Sequence, residues 1–165
     1  IIILFSKLVI AQSIVVVNIQ NLIDNNIIYK ETIKELEIKQ EKYLNEFEIT
    51  EKEIQRIYND IEESKLILSD NEVNNQIENY NKKLKDFSIL IDEFNFHFQE
   101  EIIKIRENVL KEIIYLLEEY AIKNNIELIL DSTSYLIASN SIDITEYISK
   151  ELKKIKLELE YKDFE

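Results

Sequence analysis

The chain has no glycine, proline, cysteine, methionine or tryptophan, and one histidine, His97, in 165 residues. Each absence removes something. Without glycine there are no Gly-rich phosphate-binding loops, and tight turns that need a positive φ become costly. Without proline nothing forces a helix to break, so long uninterrupted helices are permitted. Without cysteine there are no disulfides, thiolate metal sites or cysteine nucleophiles. A single histidine excludes a multi-histidine metal centre. Isoleucine, with 32 copies, outnumbers alanine, with 3, by ten to one. A nucleotide-biased genome yields such a composition too, so the missing Gly and Pro permit long helices without requiring them.

Basic charge is also scarce: 20 Lys and Arg face 33 Asp and Glu, a net of −13. Such acidity argues against nucleic acid, whose affinity rests on neutralised phosphates, and against anionic membrane surfaces. What is present is 45% hydrophobic and 32% charged. That is too apolar for a disordered chain and too charged for a membrane-embedded one.

The sequence opens on Ile1, which suggests that it starts inside a longer precursor. Residues 1–11, IIILFSKLVIA, read as the remnant of a signal peptide, with Val9 and Ala11 as small residues before a cleavage point at Gln12. A membrane anchor running to Val17 is the competing reading. Lys7 interrupts both, and a full crossing needs roughly 20 apolar residues.

Residues 13–19, SIVVVNI, form a β-branched run that predicts a buried strand, and Asn18 can cap a short helix after it. A long seam follows: Ile33, Leu36, Gln40, Tyr43, Phe47, Thr50, Ile54, Ile57, Ile61, Ser64 and Leu68. Its steps alternate three and four, the heptad signature of a coiled coil. Residues 69–75, SDNEVNN, predict a turn. A second seam runs through Ile77, Tyr80, Leu84, Phe87, Ile91, Phe94 and Phe98, then slips by four to Ile102 and again from Val109 to Ile113. Such slips relax the supercoil and predict that the helix turns to a different packing partner. Two seams joined by a short turn pack antiparallel.

Asn124 and Asn125 can end the second helix, since Asn tolerates the left-handed region. IELILD, 126–131, predicts a second strand and YLIAS, 135–139, a third. The stretch from about 144 to the end predicts an amphipathic helix, with Asp143 and Glu146 at capping-box spacing and Thr145 as the competing cap. The expected fold is α+β, mostly α. A coiled-coil hairpin spans 30–123, and residues 12–29 and 124–165 form a small β platform of three short strands.

This order of elements resembles the Skp/OmpH chaperone family, most specifically in VVVNIQNLI at 15–23 and LILDSTSYLIASNSIDITEYI at 128–148. The resemblance covers residue 13 to about 155. It implies a periplasmic, ATP-independent holdase: a homotrimer whose strands share a small barrel and whose hairpins cage unfolded outer-membrane proteins. No cofactor, metal or catalytic residue is implied. One feature departs from the basic members of the family. Residues 30–123 carry 14 Lys and Arg against 23 Asp and Glu, and only Lys82, Lys83 and Lys85 form a basic cluster. A lipopolysaccharide site is therefore not carried over.

Some apolar residues lie off both seams: Ile38, Leu44, Ile49, Ile89, Phe96 and Ile103. They are candidate client-binding residues, because a two-helix hairpin does not need them. Codon bias or a widened seam would also produce them, although a bias toward isoleucine does not explain Phe96. Ile14, Val16, Leu128, Leu130, Leu136 and Ala138 are the candidate oligomerisation residues, since three short strands make a poor closed sheet alone. His97 reads as an ordinary helix residue. Asp70 to Glu72 lacks the spacing of a calcium loop. Tyr43, Tyr58 and Tyr80 read as core-filling rings at the seam.

Two other classes compete. A structural stalk would use residues 1–17 as a membrane anchor followed by one continuous helix, and it would not need strands at 126–131 and 135–139. A prefoldin-like chaperone would have helices at both termini, which strand 13–19 disfavours. No enzyme class retains a nucleophile, metal set or phosphate loop.

Overall fold

The computed structural model describes residues 14–164. The apolar segment 1–11 and its expected cleavage point lie outside the described residues. The elements run β1 (Ile14–Val17), α1 (Ile19–Asp24), α2 (Ile27–Ser64), α3 (Asp70–Asn124), β2 (Leu128–Asp131) and α4 (Thr145–Leu152). Two 3-10 turns, Ser132–Ser134 and Asn140–Ile142, lie between β2 and α4. The chain divides into two compact units. One holds the described residues up to Glu31 together with Ile105–Glu160, and the other holds Thr32–Lys104 with the final residues from Tyr161.

In the first unit β1 and β2 pair in parallel, with Ile14 opposite Leu128, Val15 opposite Ile129, Val16 opposite Leu130 and Val17 opposite Asp131. Val15 and Val17 face a core built from Leu22 and Ile23 of α1, Val109, Ile113, Leu116 and Leu117 of α3, and Ile144, Ile148 and Leu152 at α4. The helix slip at residues 105–113 has its cause here. Ile105, Val109 and Ile113 are spaced by four and wholly buried, so this stretch of α3 packs broadly and not along a heptad stripe.

Side-chain caps hold the junction after β1 together. The Asn18 side chain accepts from the Asn21 N–H at 2.8 Å, starting α1 as expected. The Asn18 N–H donates to Thr145 Oγ1 at 2.8 Å, and the Ile19 N–H donates to Asp131 Oδ1 at 3.0 Å. Thr145 therefore does not cap α4. Glu146 pairs with Lys150, so the expected capping box does not form, and Asp143 accepts only from the Thr145 N–H at 2.8 Å. Asn125 ends α3 in the left-handed region, with φ of 53°.

Burial pushes the Asp131 carboxyl up, but hydrogen bonds from the Thr133 hydroxyl and from the Ile19 and Thr133 N–H groups outweigh this and hold it below its ordinary 3.8. A carboxyl depressed in the folded state stabilises above its unfolded pKa and loses that contribution as pH falls through the folded value. Asp131→Ala should therefore cost about 1–3 kcal/mol at pH 7. The cost should shrink below about pH 4, where the unfolded carboxyl is largely protonated. Urea unfolding at pH 7 and pH 3 checks this, and an equal cost at both would refute it.

Two expectations fail in this unit. The segment 135–139 forms no strand: its end residues Tyr135 and Ser139 are extended, but it pairs with nothing among the described residues. A strand exists only through a hydrogen-bonded neighbour, and the free edge of β1 is taken instead by Asp143, with the Ile144 N–H bonded to the Val16 carbonyl at 2.9 Å. Secondly, the terminal helix stops at Leu152, and residues 153–164 are not helical. IKLELEYK alternates apolar and charged residues, which is an extended period. Ile155, Leu157 and Leu159 pack on the core, and Lys156, Glu158 and Glu160 face outward.

In the second unit α2 and α3 form the antiparallel hairpin. All eleven positions of the first seam are buried or half-buried, ten of them on α2 from Ile33 to Ser64 and Leu68 in the turn after it. Rings interlock across the pair: Phe47 meets Phe94 at 4.9 Å and Phe87 at 5.9 Å, Tyr43 meets Phe98 at 6.3 Å, and Tyr58 meets Tyr80 at 5.8 Å. α2 has 38 residues and α3 has 55, roughly 57 and 83 Å of helix. The turn lies at residues 65–69, earlier than the expected 69–75, because Ser69 and Glu72 start α3. Glu72 accepts from both the Ser69 N–H and hydroxyl, at 3.0 and 2.7 Å, and this holds its carboxyl below 4.5. Leu84, expected in the seam, is 43% exposed.

Candidate functional site

The outer face of the sheet is the first candidate. β1 and β2 alternate, so Val15, Val17 and Ile129 turn inward while Ile14, Val16, Leu128 and Leu130 line the opposite face in register. Ile14 and Leu128 are 45% and 44% exposed, Leu130 is half-buried and Val16 is buried. A two-stranded parallel pair with an apolar outer face is unusual, because parallel sheets are normally covered on both sides. Beyond it, Leu136 and Ile137 stand fully in solvent and Ala138 is half-buried. Five of the six expected oligomerisation residues thus keep accessible apolar surface, and Val16 alone is covered.

The second candidate is the hairpin surface. Ile38, Leu44, Ile49, Ile89, Phe96 and Ile103 are all exposed, Phe96 by 66%. On α3 the residues Ile89, Phe96 and Ile103 recur every seven positions, so they form one stripe about 21 Å long. Ile38 and Ile49, three turns apart, share a line on α2, and Leu44 lies off it. Codon bias has no reason to place residues at heptad spacing. Leu66 and Ile67 at the turn are 91% and 84% exposed and add apolar surface at the tip. They escaped the sequence reading because the turn was placed after them.

Glu101 was also missed. Heptad steps from Phe98 reach residue 101, a glutamate, so the apolar Ile102 looks like the seam residue. The structure buries Glu101 to 2% exposure and leaves Ile102 37% exposed. Glu101 accepts from Lys104 Nζ at 2.6 Å and from the Lys162 N–H at 3.0 Å. Burial pushes its carboxyl up, but those two bonds, with the charges of Lys104 and His97, outweigh it and hold the carboxyl below 4.5. No helix among the described residues is long and apolar enough to cross a membrane. No group of three or more potential metal ligands is present among them either.

These features define a class: a helical-hairpin protein whose small parallel sheet joins residues from opposite sides of the hairpin in sequence. A family profile described as outer membrane protein (OmpH-like) matches residues 13–152. The chain belongs to this OmpH-like family. It is also similar in fold to a solved structure from Caulobacter crescentus CB15, described as a candidate outer membrane chaperone (OmpH-like). That similarity has a TM-score of 0.70 and 11% identity, covering 93% of this chain and 92% of the other. No curated protein sequence matches the chain.

Proposed function

We infer that this protein is an ATP-independent holdase of the periplasm that encloses unfolded outer-membrane proteins between the hairpins of a homotrimer. The observation that carries this reading is the heptad-spaced apolar stripe of Ile89, Phe96 and Ile103, exposed on a hairpin whose own seam is already filled. Many weak apolar contacts hold an unfolded chain without selecting its sequence, and their number offsets their weakness. Such contacts keep aggregation-prone chains apart and need no nucleotide.

The trimer rests on the outer sheet face. Ile14 and Leu128 with the exposed Leu136 and Ile137 offer apolar surface that a second and third copy would cover. Residues 135–139 would then find a strand partner in a neighbouring chain. The stalk reading is disfavoured, because residues 14–17 pair as a strand with 128–131 and no single continuous helix runs on from them.

The test is aggregation of a urea-diluted β-barrel protein, without nucleotide, with and without this chain. Suppression is expected near stoichiometric trimer, and unchanged scattering would refute the reading. Phe96→Ser should weaken retention several-fold while far-UV circular dichroism stays unchanged, since Phe96 is 66% exposed. Loss of helicity would instead make Phe96 a core residue.

A further inference from the structure

The end of the described chain is held on the hairpin in a way that reads backbone more than sequence. His97 and Glu101 lie one turn apart on α3. Glu101 Oε2 accepts from the Lys162 N–H at 3.0 Å, and His97 Nε2 meets the Lys162 carbonyl oxygen at 3.0 Å. The Tyr43 hydroxyl, from α2, donates to the Phe164 carbonyl at 2.7 Å. Three main-chain groups within three residues are thus satisfied by hairpin side chains. The Phe164 ring enters an aromatic slot, edge-on to Phe94 at 5.4 Å and to Tyr43 at 5.7 Å. Lys39 Nζ lies 4.7 Å from the centre of the Tyr161 ring and pairs with Asp163. All of these residues belong to one compact unit.

The family profile ends at residue 152, so the segment that fills the slot lies outside the matched region. The slot side chains, from Tyr43 to Glu101, lie inside it. A hairpin needs no buried glutamate. An apolar residue at 101 would pack as well; Lys104 takes one carboxylate oxygen, and the other is satisfied because an N–H arrives to meet it.

We propose that Tyr43, Phe94, His97 and Glu101 form a docking site for an extended, aromatic-bearing segment of unfolded polypeptide, and that residues 161–164 occupy it as a built-in competitor. The inference deepens the holdase reading and rests on it for the choice of ligand. Recognition has two parts. An N–H and a C=O of one extended residue meet Glu101 and His97, and an aromatic ring two residues on enters the slot. Unfolded chains present both, and folded proteins hide them. The tether keeps the site filled when no client is near, so a client must displace it.

The probe is a fluorescein-labelled peptide, Glu-Tyr-Lys-Asp-Phe-Glu, identical to residues 160–165, read by anisotropy against the full chain. Two variants release the strap. Phe164→Ala empties the slot. Asp163→Lys opposes Lys39 at an exposed pair without opening a cavity, which guards against misfolding of the first. A strap closed nine-tenths of the time lowers apparent affinity about tenfold, so both variants should bind the peptide about tenfold more tightly than wild type. Adding Glu101→Ala or Tyr43→Phe to Asp163→Lys should reverse most of that gain. Replacing the peptide's Phe by Ala should do the same. Equal binding by wild type and Asp163→Lys, or a gain insensitive to Glu101→Ala, would overturn the proposal. The same proteins are scored for suppression of aggregation. Suppression without peptide capture sinks this inference alone. Peptide capture without suppression leaves the docking site standing and sinks the holdase reading.

Discussion

Phe94→Ala should cost the hairpin about 3–5 kcal/mol, the largest stability loss expected from truncating any one seam residue. Phe94 is fully buried and touches four other rings: Tyr43, Phe47, Phe98 and Phe164. Truncation removes the ring's burial and leaves a cavity that the two helices cannot readily collapse around, because Tyr43, Phe47 and Phe98 are held at their own seam positions. Hairpins of this kind have no second layer to share the loss. Urea unfolding followed at 222 nm is the measurement. The loss is read from the midpoint at constant slope, and a second transition would mark the two units unfolding separately. A loss below about 1 kcal/mol would mean that the seam is not the hairpin's source of stability.

Leu128→Asp should convert the proposed trimer to monomers while leaving each chain folded. In the single chain Leu128 is 44% exposed, so a carboxylate there stays in water and costs little. If three copies bury that face against one another, the same carboxylate meets its symmetry mates in a dry root. Burying such unpaired like charges costs several kcal/mol per chain, more than an interface of short strands can offset. Ile14, directly opposite in register, should behave alike, whereas Ile129 points into the chain's own core. Ile129→Asp should therefore unfold the platform and not merely separate subunits. Circular dichroism separates these two outcomes, and a Leu128→Asp variant that sediments like wild type would remove the shared root.

Much of this fold was legible because two periods were unambiguous. The α2 seam holds at all ten of its positions from Ile33 to Ser64, Gln40 and Thr50 included, because helix geometry and not residue type decides which face turns inward. The β-branched run at 14–17 and LILD at 128–131 could hardly be anything but strands. Where they pair, residues more than a hundred apart in sequence meet in a register that the alternation of inward and outward residues fixes. Asn18 and Asn125 act as single-residue signals whose chemistry is local.

The misreadings have equally local causes. IKLELEYK follows a real helix and carries helix-favouring Lys, Glu and Leu, so propensity hid the strict alternation that makes it extended. Glu101 was hidden because charge argues for exposure, and its burial is made tolerable by Lys104 one turn on and by a distant N–H, 61 residues on. YLIAS has strand composition but no partner among the described residues, and composition cannot supply one. The candidate surfaces were legible as apolar residues off the seams. Their stripe became visible only once the helix boundaries were fixed.

A shared β root requires several chains, and the mass of the wild-type particle tests that most directly. Sedimentation equilibrium at micromolar concentration should give three times the mass of the chain, unchanged by dilution through the working range of the aggregation assay. A particle with the mass of one chain, still folded and still carrying Leu136 and Ile137 bare in solvent, would contradict it.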